Sequence, residues 1–327
     1  MNRLIALALL VAAAAALLLA LAAPAWAQYP TKPIRLIVPF PTGGAADNVT
    51  RIVARGLSDG LGQQIIVENK PGGDGVIAGS TLLQSAPDGY TLLMGTTSGM
   101  NAVPAMRKSP PYDPLADFTA VSLLGNFVHL LLVHPDVPAQ TLPEFVAYAR
   151  ANPGKLNYAT TNFTAQAGTL QLMKATGITM VHVPYRGSAQ SIPDLVTGRV
   201  QVSFDSSPAL YMPQVKAGKL RILATMMEHR SPLAPDAPTL AEAGIPPVQT
   251  QPWGGLFGPA KLPKPIAERL AREIAQVLQQ SETRKRLDDQ GFEPEASTPD
   301  QFAAFVKTQL ETWRRVAKEG GMSLDSP

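Results

Sequence analysis

Apolar residues along this chain gather into short runs that alternate with longer stretches where they recur every three or four positions. The short runs are predicted as strands at 34–38, 64–68, 90–94, 130–133, 156–159, 180–183, 200–204, 220–224 and 256–258. Several are solidly apolar, as expected of strands covered on both faces. The longer stretches carry helix signals. Val49, Ile52, Val53 and Leu57 share one helical face, and Thr141-Leu-Pro-Glu144 is a capping box before Phe145 and Ala149. Pro265 opens a helix striped by Ile266, Leu270, Ile274 and Val277, with Glu268 and Arg272 paired outside. Thr298-Pro299 starts a last helix with Phe302, Phe305, Val306, Leu310 and Trp313 inward and Gly320 just past its end. Strands alternating with helices predict an α/β architecture with largely parallel sheets.

One segment breaks the alternation. Residues 4–23 are almost pure Leu and Ala behind Arg3, and Ala25-Trp26-Ala27 has the small-x-small pattern of a cleavage site. The expectation is a signal peptide at 1–27, removed on export, rather than a membrane anchor. The mature length then suggests two domains. The chain has no cysteine, which excludes disulfides, thiolate metal sites and thiol nucleophiles and suits an oxidising compartment. Net charge is +3 with scattered Lys and Arg, so nucleic acid is not an expected partner.

In parallel sheets, ligands collect where strands lead into helix N-termini. The loops at those places share a composition rich in Gly, Ser and Thr: 41–46, 69–80, 96–99, 160–164, 186–188 and 205–207. Gly43-Gly44 sits at a helix start, where unpaired N–H groups and the peptide dipoles can hold an anion. A plain strand-to-helix turn with Asp47 exposed is the alternative. No phosphate-loop or dinucleotide pattern follows the first strand, and no G-x-S-x-G elbow occurs. His129, His134, His182 and His229 make no metal pair, and the carboxylates single out no acid–base couple. No cofactor or metal is expected, and no catalytic residue. Among charged groups, Arg186 is the candidate for gripping a carboxylate; Tyr185 could offer a wall or hydroxyl, and Asp205 could orient loop amides or a ligand amine, or cap a helix.

Taken in order, these segments resemble a known family. They are Tyr29-Pro-Thr-Lys-Pro-Ile-Arg-Leu-Ile-Val-Pro-Phe40 with Gly43, Gly44, Asp47 and Arg51; Val67-Glu-Asn-Lys-Pro-Gly-Gly73; Ala86-Pro-Asp-Gly-Tyr-Thr-Leu-Leu93; Val183-Pro-Tyr-Arg-Gly-Ser-Ala189; Asp194-Leu-Val-Thr-Gly198; Gly244-Ile-Pro246; and Trp253-Gly-Gly-Leu-Phe-Gly-Pro-Ala260. The set is similar to the periplasmic receptors of tripartite tricarboxylate transporters, the TctC-like or Bug receptors.

The resemblance implies a type II periplasmic binding protein fold, with two α/β lobes, a hinge and a ligand cleft between them. It puts residues 28–128 plus 251–327 in the first lobe and 129–250 in the second. It implies a small organic acid as ligand, mono-, di- or aromatic carboxylate, held by backbone amides and waters. Phe40, Pro41, Thr42, Gly43, Gly44 and Ala45 would take it, with Asp47 alongside and Thr96, Thr97 and Ser98 in the next loop. The second-lobe loop brings Thr160, Thr161, Asn162, Phe163 and Thr164, but departs from the family pattern. It is one residue shorter than the usual glycine-rich stretch, and Ala167 or Gly168 stands where a histidine is usual. Phe163 would suit an apolar or aromatic ligand body.

The leading expectation is therefore a monomeric periplasmic solute receptor that delivers its acid to membrane transport subunits. A ligand-sensing module serving a signalling partner is the alternative, and a hydrolase on an α/β scaffold is less favoured.

Overall fold

The computed structural model describes residues 29–250 and 252–325. The expected signal peptide lies outside the described residues. No described helix is long and apolar enough to cross a membrane.

The chain first builds β1 (Ile34–Val38), α1 (Ala45–Leu61), β2 (Ile65–Asn69), α2 (Val76–Leu83), β3 (Thr91–Thr96) and β4 (Phe118–Phe127). It then passes into β5 (Leu130–Val133), α3 (Leu142–Ala151), β6 (Asn157–Thr160), α4 (Phe163–Thr176), β7 (Val181–Pro184), α5 (Ser188–Val196), β8 (Val202–Asp205), α6 (Pro208–Lys216) and β9 (Arg221–Thr225). It returns as β10 (Trp253–Pro259), α7 (Lys264–Gln279), α8 (Ser281–Asp288), β11 (Phe292–Pro294) and α9 (Pro299–Gly320).

Two sheets result, ordered β11-β4-β10-β3-β1-β2 and β7-β6-β8-β5-β9. Each is mixed: β1 lies parallel to β2 and β3, while β10 runs antiparallel to β3 and β4. In the second, β6 is parallel to β7 and β8, and β5 runs antiparallel to β8 and β9. β5 and β10 are the strands the chain enters on crossing between sheets, and they run opposite to the strands β6, β8, β1 and β3 built within each lobe. As a result the carboxyl ends of β1, β3 and β4 and the start of β10 share one edge. The ends of β6, β8 and β9 and the start of β5 share one edge of the other sheet.

Strands β4 and β11 were not expected from the pattern. β4 interleaves Thr, Ser, Gly and Asn with its apolar residues, and β11 is three residues ending in proline. The helix signals do form. Thr141 accepts from the Glu144 N–H, and Thr298 and Gln301 complete a capping box for α9. Two details differ: Glu268 pairs with Lys264 rather than Arg272, and α9 runs through Gly320 to a left-handed Gly321. The stripe of α9 packs Phe302 and Val306 against Trp253 and Phe257 in the first sheet's core.

Candidate functional site

The facing edges of the two sheets enclose a cavity of about 150 Å³. The first sheet contributes Phe40, Pro41, Thr42, Gly44, Ala45 and Ala46 after β1, Thr96, Thr97 and Ser98 after β3, Phe127, and Pro252 with Trp253. The second contributes His129, Thr161, Asn162 and Thr164, then Gly187, Ser188, Ala189 and Gln190, then Ser206 and Ser207. Among the described residues that line it, none carries a charge.

Local chemistry explains why amides face this space. Gly44 is the N-cap of α1 and has no side chain to cap it, so the first helical bond runs from Asn48 to the Gly44 carbonyl. The first-turn amides at Ala45 and Ala46 therefore have no partner within the helix. Gly187 stands in the same position at the start of α5, where Gln190 N–H returns to the Gly187 carbonyl. Two helix N-termini from opposite lobes thus converge with their donors exposed to one cavity, and both dipoles favour an anion there.

A buried aspartate fastens each wall from behind. Asp47, only 1% exposed, accepts the Gly43 N–H at 2.9 Å, Arg51 Nε at 3.0 Å and Asn69 Nδ2 at 2.8 Å. Burial alone would raise this carboxyl, but those hydrogen bonds outweigh it and hold it below its ordinary value. Asn69 also donates to the Phe40 carbonyl, tying the loop at both ends. In the second lobe Asp205 is fully buried and accepts from Ser188 Oγ at 2.6 Å and the Ser207 N–H at 2.7 Å. Ser207 Oγ donates to Ser188 Oγ at 3.0 Å. Here burial dominates and the carboxyl sits above its ordinary value.

Trp253 closes one side, its indole N–H held by Asn101 Oδ1 at 3.1 Å and its backbone N–H by Thr97 Oγ1 at 2.8 Å. His129 is 3% exposed, and its Nδ1 lies 3.4 Å from the Phe127 carbonyl. Burial drives its pKa down to about 4, so the ring is neutral at physiological pH. His129 Nε2 and Thr96 Oγ1 are buried without a hydrogen-bond partner among the described residues.

A family model described as "Tripartite tricarboxylate transporter family receptor", TctC, matches residues 49–322. The chain belongs to the TctC receptor family. Protein BugT of Bordetella pertussis is 35% identical over 308 residues, covering 93% of this chain and 94% of BugT. An R. palustris protein solved with adipate aligns at TM-score 0.85 and 32% identity, covering 90% of this chain and 99% of that one. MatC from Rhodopseudomonas palustris, with bound malate, aligns at TM-score 0.78 and 32% identity, covering 88% and 99%. The two-lobed fold is that of periplasmic binding proteins of the TctC/Bug type, a solute-binding family.

The receptor's cavity brings together eleven of the residues singled out by sequence, and the remainder stand elsewhere. Gly43 turns its N–H inward to Asp47, so the outward-facing amides begin at Gly44. Asp47 and Asp205 lie beneath the walls rather than in them. Thr160 instead bonds His182 Nε2 at 2.7 Å, and the Tyr185 hydroxyl donates to Asp194 at 2.8 Å. Arg186 is exposed and does not line the cavity. Phe163 packs beside Ala102, Met106 and Trp313 at a contact between the lobes. Where a histidine is usual in the resembling family, Ala167 and Gly168 are buried, and a Cβ on Gly168 would overlap Met226.

Sequence reasoning missed Ala46, Phe127, His129, Gly187, Ser188, Ala189, Gln190, Ser206, Ser207, Pro252 and Trp253. The signal for four of these was present. The 186–188 and 205–207 loops share the Gly/Ser composition of the others, but their charged members drew the attention and their neutral members form the wall.

Proposed function

We propose that this TctC receptor is exported to the periplasm, captures a small organic acid between its lobes and delivers it to membrane subunits of a tripartite transporter. The observation that carries the reading is the pair of uncapped helix N-termini, at Gly44 and Gly187, facing one cavity with a wall free of charged side chains. Backbone amides and hydroxyls can hold a carboxylate without a basic residue, because the donors are fixed in place and aligned with the dipole. Relatives of the same family solved with adipate and with malate favour the same ligand class. The protein acts by binding, with no chemical step, as a monomer. Residues 28–128 and 251–327 would move as one body and 129–250 as the other, hinged where the chain crosses between sheets.

A thermal-shift screen of the mature protein against mono-, di- and aromatic carboxylates tests the proposal. A ligand at about 100 times its Kd adds roughly 2.7 kcal/mol, which raises the unfolding midpoint by several degrees at this size. Shifts with sugars or amines and none with acids would overturn it.

A further inference from the structure

Phe163 stands between two cavity-lining residues, Asn162 and Thr164, yet does not line the cavity itself. Its ring packs into the first lobe, on a socket whose buried walls include Ala102, Met106, Trp313 and Ala317. The C-terminal tail completes that socket with Met322 and Leu324. The tail is tied down: the Leu324 N–H donates to the Met106 carbonyl at 2.9 Å, and the Lys108 N–H to Asp325 Oδ2 at 2.8 Å. An aromatic ring of one lobe thus fills a site built by the other.

Phe163 also opens a stripe along α4. One turn on, Ala167 is fully buried in the same cluster. One turn further, Gln171 Oε1 accepts the Gln249 N–H at 3.1 Å, and Gln249 Oε1 accepts from Arg315 of α9 at 3.1 Å. The spacing 163, 167, 171 puts all three on one helical face. That face lies on the first lobe, where α4 packs against the turn Ser98–Ala102 and against α9. Gln249 stands just before the chain re-enters the first sheet at β10, so the polar end of the stripe is at the crossing, where a hinge moves least. Phe163 is two turns away, about 12 Å along the helix axis. Opening the lobes therefore draws its ring out of the socket. Ring and socket would then both meet water, and burial of a phenylalanine side chain is favourable enough to bias such an equilibrium roughly tenfold or more.

We infer that Phe163 is a latch: it holds the lobes together through the protein's own contacts, so that the closed arrangement predominates before any solute binds. Solute then enters by way of a minority open form. The inference concerns the resting equilibrium of the lobes and stands whichever solute the cavity takes.

Distance measurement by electron paramagnetic resonance tests it. The chain has no cysteine, so introduced ones label cleanly. Pro71→Cys and Arg186→Cys place spin labels at exposed positions of opposite lobes, outside the cavity wall. In a buffer free of carboxylates, the doubly labelled protein with its native Phe163 should give one dominant short distance. Phe163→Ala should shift population to longer distances, raising the open-to-closed ratio roughly tenfold. Phe163→Leu, apolar but smaller, should fall between. Met322→Ala combined with Leu324→Ala strips the socket while leaving Phe163 in place, and should open the lobes in the same direction. These last two variants carry the test if Phe163→Ala does not fold. A long distance dominating in the protein with native Phe163, or variants whose distances superimpose on it, overturns the latch. Neither result touches the carboxylate reading, because no acid is present in the measurement.

Discussion

The Asp74 carboxyl, in the first lobe, lies within electrostatic reach of the backbone N–H of Phe163, the residue that opens α4 in the second. This approach crosses from lobe to lobe, and Asp74 holds its place from a left-handed backbone with φ 52°. Burial pushes its pKa up to about 6, with the Phe163 N–H opposing the rise. A raised folded-state value means the folded protein pays for the charged form. That cost is absent below the ordinary value of 3.8, grows as pH rises toward 6, and is constant above. Asp74→Asn keeps an oxygen acceptor, tolerates the left-handed backbone and removes the charge. The variant is expected to be more stable at pH 7.5, on the order of 2 kcal/mol, and to converge with the wild type near pH 4. Thermal unfolding from pH 4 to 8 checks this, and a gap that persists at pH 4 contradicts it.

Gly44→Asp places a good N-cap side chain at the start of α1. The backbone there is extended, and a Cβ would meet only the Pro41 carbonyl at 3.4 Å. The carboxylate would bond the helix's own first-turn amides, a change of a few tenths of a kcal/mol in stability. Acid binding should be lost with the unfolding midpoint nearly unchanged. A variant that binds as well as the wild type would place the anion away from α1.

Asp205→Ala removes the acceptor under the second wall. Ser188 Oγ and the Ser207 N–H lose a buried partner, which is expected to cost about 1–3 kcal/mol in stability. Ligand affinity should fall as well, although Asp205 does not line the cavity, because Ser188 and Ser207 do. Affinity measured on the folded fraction distinguishes this from simple unfolding: an unchanged Kd removes Asp205 from any positioning role.

Gly255→Ala is expected to destabilise by about 1–3 kcal/mol through overpacking, since a Cβ at this point of β10 would overlap the Phe302 ring. The site lies beyond that contact, so Kd for the folded protein should be retained. Denaturant unfolding and titration together read the two effects.

Eight of the eleven strands in the two sheets could be read from short apolar runs, most plainly β5, whose Leu130–Val133 is buried throughout. β10 was recognised only at its centre, since glycines that make room for Phe302 and Met94 dilute its apolar run. β4 escaped because half of its residues serve partners other than the core. Ser122, for example, bonds the Ser297 backbone, and Gly125 meets Glu293. At the site, Gly44 was legible because a glycine between a strand and a helix leaves the first-turn amides unobstructed. His129 was not: an isolated histidine beside a strand looks like packing until the crossing between sheets puts it at the cavity floor. Arg186 and Asp205 drew attention as charges, although this cavity is walled by neutral groups.

The charge-free wall also bears on how the ligand arrives. With no lysine or arginine among the described lining residues, the anion is attracted over only a few ångströms, by dipoles it reaches after entering. Dissolved ions act mainly at separations beyond about 8 Å at physiological strength, so they have little here to screen. Affinity and capture rate should therefore hold nearly level from dilute buffer to concentrated salt.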